Sequence, residues 1–231
     1  MTPPPEISAP TAAIAGSTQR FPVRRILCIG RNYAAHAREM GASGREAPFF
    51  FSKSTASLLV AEGETTLRFP PRTSDLHHEL ELVVALGAGG ANLAVADAPA
   101  CVWGYALGLD MTRRDVQAAA KAEGKPWTAG KDFDHSAVLG PIVPKADLDR
   151  AGGLATGPLA LDVNGAARQR GDTTEMIWGV DELIAELSTW MRLEAGDLIY
   201  TGTPSGVGPV RPGDVLVGRF PGLPELTVRV G

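Results

Sequence analysis

The 231-residue sequence predicts an α+β fold in which strands predominate. Three observations carry that expectation. Leu76–Leu86 (LHHELELVVAL) and Cys101–Asp110 (CVWGYALGLD) show the period of two that a strand imposes on its side chains. Asn164-Gly165, set between Leu159–Val163 and Ala166–Arg170, is a strong hairpin signal, and most of the last third reads as β. Only Arg31–Met40, Met111–Glu123 and Val180–Met191 read as helices of any length.

Taken in order, residues 1–20 are rich in Pro, Ala, Ser and Thr with little to bury, so they predict a flexible tail before a single domain over residues 21–231. Arg25–Gly30 is a short apolar strand, and the helix-forming run after it stops at Gly41. A glycine-containing loop to Pro48 precedes the strand Phe49–Lys53. Short strands and turns fill 54–72, and a turn at Arg72–Asp75 leads into Leu76–Leu86. Gly87–Pro99 is loop. In Cys101–Asp110 the residues Val102, Gly104, Ala106, Gly108 and Asp110 share one face, opposite Cys101, Trp103, Tyr105, Leu107 and Leu109. A strand face that bare marks close approach to the backbone, and here it runs up to a carboxylate.

The Met111–Glu123 helix carries Thr112 and Asp115 at the spacing of an approximate capping box, and Lys131 falls in the loop that follows Gly124, Pro126 and Trp127. Val180–Met191 is amphipathic through Leu183, Ile184, Leu187, Trp190 and Met191. After a Gly196-Asp197 turn come a strand at Leu198–Thr201, the glycine-rich loop Thr201–Pro209, and two strands separated by Pro221–Pro224.

The formal charge of −4, with no cluster of Lys and Arg, argues against a nucleic-acid or anionic-membrane partner and for a small molecule. Cys28 and Cys101 both lie in apolar runs and read as buried thiols in a reducing compartment. No apolar stretch approaches the ~18 residues of a membrane span, and the opening residues lack a secretion signal, so the expected location is cytoplasmic. The loop at Thr201–Pro209 lacks the Lys-Ser/Thr of a P-loop, and reads as amides near a small anion or simply as a turn. No Gly-x-Ser-x-Gly elbow and no Cys-x-x-Cys occurs, which removes a serine hydrolase of that type and structural zinc.

What remains is acidic. Glu79 and Glu81 project the same way from one strand, while Leu80, Leu82 and Val84 form an apolar row that wants a core. Neighbouring buried carboxylates repel unless one is protonated or a cation sits between them. With Asp110 they make an all-oxygen triad suited to a hard divalent ion and open to water and substrate, or else three separate surface acids. His77 shares their face and reads as a supporting group rather than a ligand. His36 and Glu39, three apart, are either a base with its orienting carboxylate or a surface pair; Lys53, Arg114 and Lys131 could bind an oxyanion or be solvated charges.

Together, Gly30-Arg31-Asn32-Tyr33-Ala34-Ala35-His36-Ala37-Arg38-Glu39, Phe50-Phe51-Ser52-Lys53, His77-His78-Glu79-Leu80-Glu81-Leu82, Gly104–Thr112, Trp127–Lys131, Val163-Asn164-Gly165 and Thr201-Gly202-Thr203-Pro204 resemble the fumarylacetoacetate hydrolase family. The resemblance runs from about Arg25 to the C-terminus and lies closest to its acylpyruvate hydrolase branch. Phe49-Phe50-Phe51 and Asp110–Asp115 are most similar to the members that cleave fumarylpyruvate in gentisate breakdown.

The resemblance implies a mixed β-roll, a homodimer, and Mg²⁺ or Mn²⁺ held by Glu79, Glu81 and Asp110. It implies further that His36 and Glu39 lie on a lid and that Lys131, Arg114, Gln117 and Thr203 contact the pyruvyl end. Lys53 is followed by Ser54 where the family often has proline, which leaves the reach of Lys53 open. The expected chemistry is hydrolysis of the C–C bond of an acylpyruvate, with His36 activating water and Lys131 stabilising the enolate. The rivals are an oxaloacetate decarboxylase or other 2-oxo acid lyase or isomerase, and a non-catalytic binding protein.

Overall fold

The computed structural model describes residues 3–6, 8–33, 46–152 and 156–231. His36 and Glu39, with most of the helix expected at Arg31–Met40, lie outside the described residues. The first residues of that segment are not helical: Arg31 has φ 58° and Tyr33 forms an antiparallel bridge to Met176.

Strands dominate, as expected. The central sheet has the order Phe49–Lys53, Arg25–Gly30, Asp197–Tyr200, Leu80–Leu86, Val102–Asp110, Ala137–Leu139, Leu58–Val60, with Val143–Pro144 also paired to Val102–Asp110. It is mixed: Asp197–Tyr200 runs parallel to Arg25–Gly30 and antiparallel to Leu80–Leu86. A five-stranded sheet packs over it, built on the hairpin Pro158–Val163 and Ala166–Asp172 with Val215–Arg219, Leu226–Val230 and Thr65–Leu67. Asn164 and Gly165 both take positive φ, 53° and 76°, as a tight type I′ hairpin requires.

Leu80–Leu86 is buried along its whole length because both faces have a core to meet. Leu80, Leu82 and Val84 join Leu107, Leu159, Leu161 and Val228 between the sheets, while Val83 and Ala85 join Ile26, Cys28 and Tyr200 on the opposite face. Both cysteines are free and buried. Val180–Trp190 is the expected helix, but Trp190 is 67% exposed instead of packing with Leu183 and Leu187; its ring meets Phe50 at 6.1 Å.

Four further expectations need correction. Thr11–Ala13, inside the expected tail, pairs with Arg20–Pro22 and buries Ala12, because Ile14 bridges to Ile142 and gives the segment a surface to cover. Leu76–Leu86 is two strands that part at Glu79, Leu76–His78 having left for a three-stranded sheet with Thr112–Arg113 and Gly208–Val210. Thr112–Arg113 is therefore strand, the helix spans Arg114–Ala122, and no side chain caps it; Asp115 instead accepts from Thr73 and Ser74. Finally, the pairing Ala85↔Gly104, Leu86↔Val102 skips Trp103, so this bulge sends the Trp103 ring to Phe21 on the far side of the sheet. Among the described residues no helix is long and apolar enough to cross a membrane.

Candidate metal centre and its cavity

Glu79, Glu81 and Asp110 are buried together, each offering an oxygen within 4.8 Å of the others. Backbone pairing puts them there. Glu81 lies opposite Gly108, two residues short of Asp110, and the Asp110 amide donates to the Glu79 carbonyl at 2.9 Å across the strand break. The bare face of Val102–Asp110 is filled by the protein itself: a Cβ on Gly108 would fall 2.6 Å from the Tyr200 ring, whose hydroxyl donates to the Val138 carbonyl.

Cations surround two of the three carboxylates. Lys131, which ends the short helix Thr128–Lys131 and not a loop, donates to Glu79 Oε2 (2.8 Å), Asp110 Oδ2 (2.8 Å) and Thr112 Oγ1 (2.7 Å). These carboxylates hold its ammonium charged, raising its pKa against the cost of burial. Arg114 donates to Glu79 Oε1 and, at 2.6 Å, to Gln117 Oε1. Its Nε also points at His77 Nδ1, 3.3 Å away, while His77 Nε2 meets Asp75 at 2.9 Å. His77 therefore supports Arg114 instead of joining the triad, and burial with the nearby guanidinium lowers its pKa.

Lys53 does not reach the cavity. Its buried Nζ donates to the carbonyls of Met111 (3.1 Å), Lys131 and Ser136 (2.9 Å) and lies 2.7 Å from Asp110 Oδ1. With three hydrogens committed to carbonyls it has none for a ligand, so its place is behind Asp110 and the Lys131 turn.

The remaining capacity is anionic. Asp110 Oδ1 is buried without a hydrogen bond. Glu81 accepts from the Gly202 amide at 2.7 Å, so the anion at the glycine-rich loop is the chain's own carboxylate. Burial, then Asp110 and Glu79, push the Glu81 carboxyl well above its usual range. Hard oxygen donors that crowd one point and retain spare lone pairs fit a divalent cation such as Mg²⁺ or Mn²⁺.

Glu79, Glu81, Asp110, Arg114 and Lys131 line one cavity together with Gln117, Thr203, Arg31, Phe49 and Trp127. Thr203 is fixed by donating to the Leu80 carbonyl (2.8 Å) and accepting from Gln169 Nε2 (2.7 Å). Gln169, which sequence reasoning missed, also donates to the Pro204 carbonyl, and its Oε1 accepts from the Leu80 amide (3.0 Å) and faces His78 Nδ1 (3.0 Å). It thereby fills the gap where the strand changes sheets. Its only signal was a polar residue in the inward register of the hairpin strand, where it is the one buried position. Arg31, Phe49 and Trp127 carried no spacing that marked them as lining.

A mostly β fold closing on a buried three-carboxylate cavity defines the class of protein, and similarity supplies the family. The description "Fumarylacetoacetate (FAA) hydrolase C-terminal" matches residues 25–231, and the chain belongs to the fumarylacetoacetate hydrolase family. It is 45% identical to a fumarylpyruvate hydrolase of a Ralstonia species over 186 residues, covering 80% of this chain and 94% of that one. It is 44% identical to a mitochondrial oxaloacetate decarboxylase of Dictyostelium discoideum, covering 87% and 90%. Its structure matches fumarylpyruvate hydrolase from Pseudomonas aeruginosa, crystallised with Mn²⁺ and pyruvate, at a TM-score of 0.92 and 46% identity over 98% of this chain and 97% of that one.

Proposed function

We propose that the protein is a divalent-metal-dependent acylpyruvate hydrolase, cleaving fumarylpyruvate to fumarate and pyruvate in a single catalytic domain that also takes in the Thr11–Ala13 strand. The observation that carries this reading is the cluster of Glu79, Glu81 and Asp110, buried at a cavity where the neighbouring charges of Lys131 and Arg114 suit a 2-oxo acid. Glu79, Glu81 and Asp110 would hold Mg²⁺ or Mn²⁺, which supplies Lewis-acid polarisation of the 2-oxo carbonyl.

The chain's own groups do the rest. Arg114, braced by His77, and Gln117 bind and orient the substrate carboxylate, and Thr203 sits against the same end. His36, oriented by Glu39 three residues on, takes a proton from water for attack on the distal carbonyl. Lys131 stays protonated and donates to the oxygen of the departing pyruvate enolate, exchanging one of its bonds to Glu79 or Asp110 for it. Cytoplasmic location and a homodimer complete the reading, the latter checked by sedimentation equilibrium.

The test is a spectrophotometric panel of fumarylpyruvate, maleylpyruvate, acetylpyruvate and oxaloacetate, with and without EDTA. Fumarylpyruvate should turn over fastest and only without chelator; equal rates in EDTA would remove the metal. The Dictyostelium relative favours a second reading, decarboxylation or enolisation of oxaloacetate on the same cavity with no attacking water. The variant His36→Ala separates the two, because hydrolysis is the wrong reaction if turnover of the true substrate survives.

A further inference from the structure

The cavity contains a cation that the mechanism above leaves without a task. Arg31 lines the same space as the three carboxylates, yet among the described residues no carboxylate pairs with it, whereas Arg114 and Lys131 are both tied to acids. Its Nε is buried with no hydrogen-bond partner. Its backbone is held in the left-handed region at φ 58°, a conformation costly for a residue with a Cβ. The guanidinium lies over the Phe49 ring, 5.5 Å from its centre, and Phe49 in turn meets Trp127 edge-on at 5.5 Å. Gly30 makes room for that ring, since a Cβ there would fall 2.1 Å from it. Strained backbone, a stacked and oriented fork, and an unsatisfied donor together describe a charge set to bind an anion.

Sheet order gives the backbone separation between Arg31 and the carboxylates. Arg31 follows Arg25–Gly30, which is separated from the carboxylate strand Leu80–Leu86 by one strand, Asp197–Tyr200. Two strand spacings are about 10 Å. A seven-carbon chain spans a comparable distance, and Phe49 and Trp127 offer apolar walls for its middle. We propose that Arg31 binds a second carboxylate at the far end of the substrate, selecting acylpyruvates whose acyl group ends in an acid over neutral ones. The proposal rests on the reading that the Glu79, Glu81 and Asp110 end takes the 2-oxo acid.

Two unreactive probes that differ only in the terminal acid test it: 2-oxoheptanedioate and 2-oxoheptanoate, titrated calorimetrically into the full chain with Mg²⁺. The native protein should prefer the diacid by about tenfold or more, the worth of a charge-assisted contact. Arg31→Met should bring the ratio to about one while leaving 2-oxoheptanoate binding unchanged, and Arg31→Lys should keep part of the preference. The inference is overturned if the native protein shows no preference or binds neither probe, if Arg31→Met keeps the preference, or if both probes weaken equally in both variants. Fumarylpyruvate turnover is measured alongside. Its absence would sink the hydrolase reading, while the probe ratio would still decide the task of Arg31.

Discussion

Asp110 and Asp197 sit in the same sheet, are equally buried, and are each approached by two cations, yet they do opposite things. Asp197 is saturated. Its Oδ1 accepts from Arg24 and Arg25 (3.0 and 3.3 Å), and its Oδ2 from Arg25 and the Glu194 amide (2.6 and 3.0 Å). Asp110 accepts one hydrogen bond from Lys131 on Oδ2 and none on Oδ1, because Lys53 has given its hydrogens to carbonyls. Burial is common to both. Unused acceptor capacity is what separates a carboxylate that staples the fold from one ready for a ligand.

The sharpest way to break that contrast is to neutralise each side. Glu81→Gln or Asp110→Asn should lower kcat/KM by roughly 100-fold or more, as loss of preorganised charge does. The melting temperature of metal-free Glu81→Gln should stay level or rise, since one of three repelling acids is gone. A drop in its melting temperature would show that Glu81 holds the fold.

Asp197→Asn should behave conversely. It should lose about 2–4 kcal/mol in urea unfolding, with turnover per folded molecule unchanged. A third region tests whether a neutral buried group follows the same rule. His78, facing Gln169, is pushed down from 6.5 to about 4, mainly by burial. Between those values the unfolded chain binds the extra proton, so stability is full above pH 6.5 and falls as pH drops toward 4, by on the order of 3 kcal/mol. His78→Gln should flatten that segment of the pH–stability curve.

The smallest effect concerns protons. Glu81, held protonated to higher pH than usual, must ionise to bind a metal, so Mn²⁺ uptake should release up to about one proton and weaken as pH falls. Calorimetry in buffers of different ionisation heat reads this directly, and no proton release would mean that Glu81 is already charged.

Much of the site was legible because strand periodicity is local. The Glu-x-Glu spacing and the alternation ending at Asp110 needed no partner strands to be read. Whatever depended on long-range pairing was hidden: the break at Glu79, the Trp103 bulge, and the retreat of Lys53 into a cage of carbonyls. Gln169 was invisible for the same reason, since its partners Leu80 and Thr203 come from distant parts of the chain. Amphipathic periodicity placed the Val180–Trp190 helix correctly but misjudged Trp190, because hydrophobic spacing reports which way a residue points and not what is there to cover it.

The position of Asp197–Tyr200 between Arg25–Gly30 and Leu80–Leu86 bears on how the molecule is made. During synthesis the walls carrying Arg31 and Glu81 emerge well before the strand that joins them into one sheet. Such contacts across most of the chain are slow to form. A growing polypeptide that has not yet added Asp197–Tyr200 therefore has no finished cleft in which to trap an ion or a metabolite.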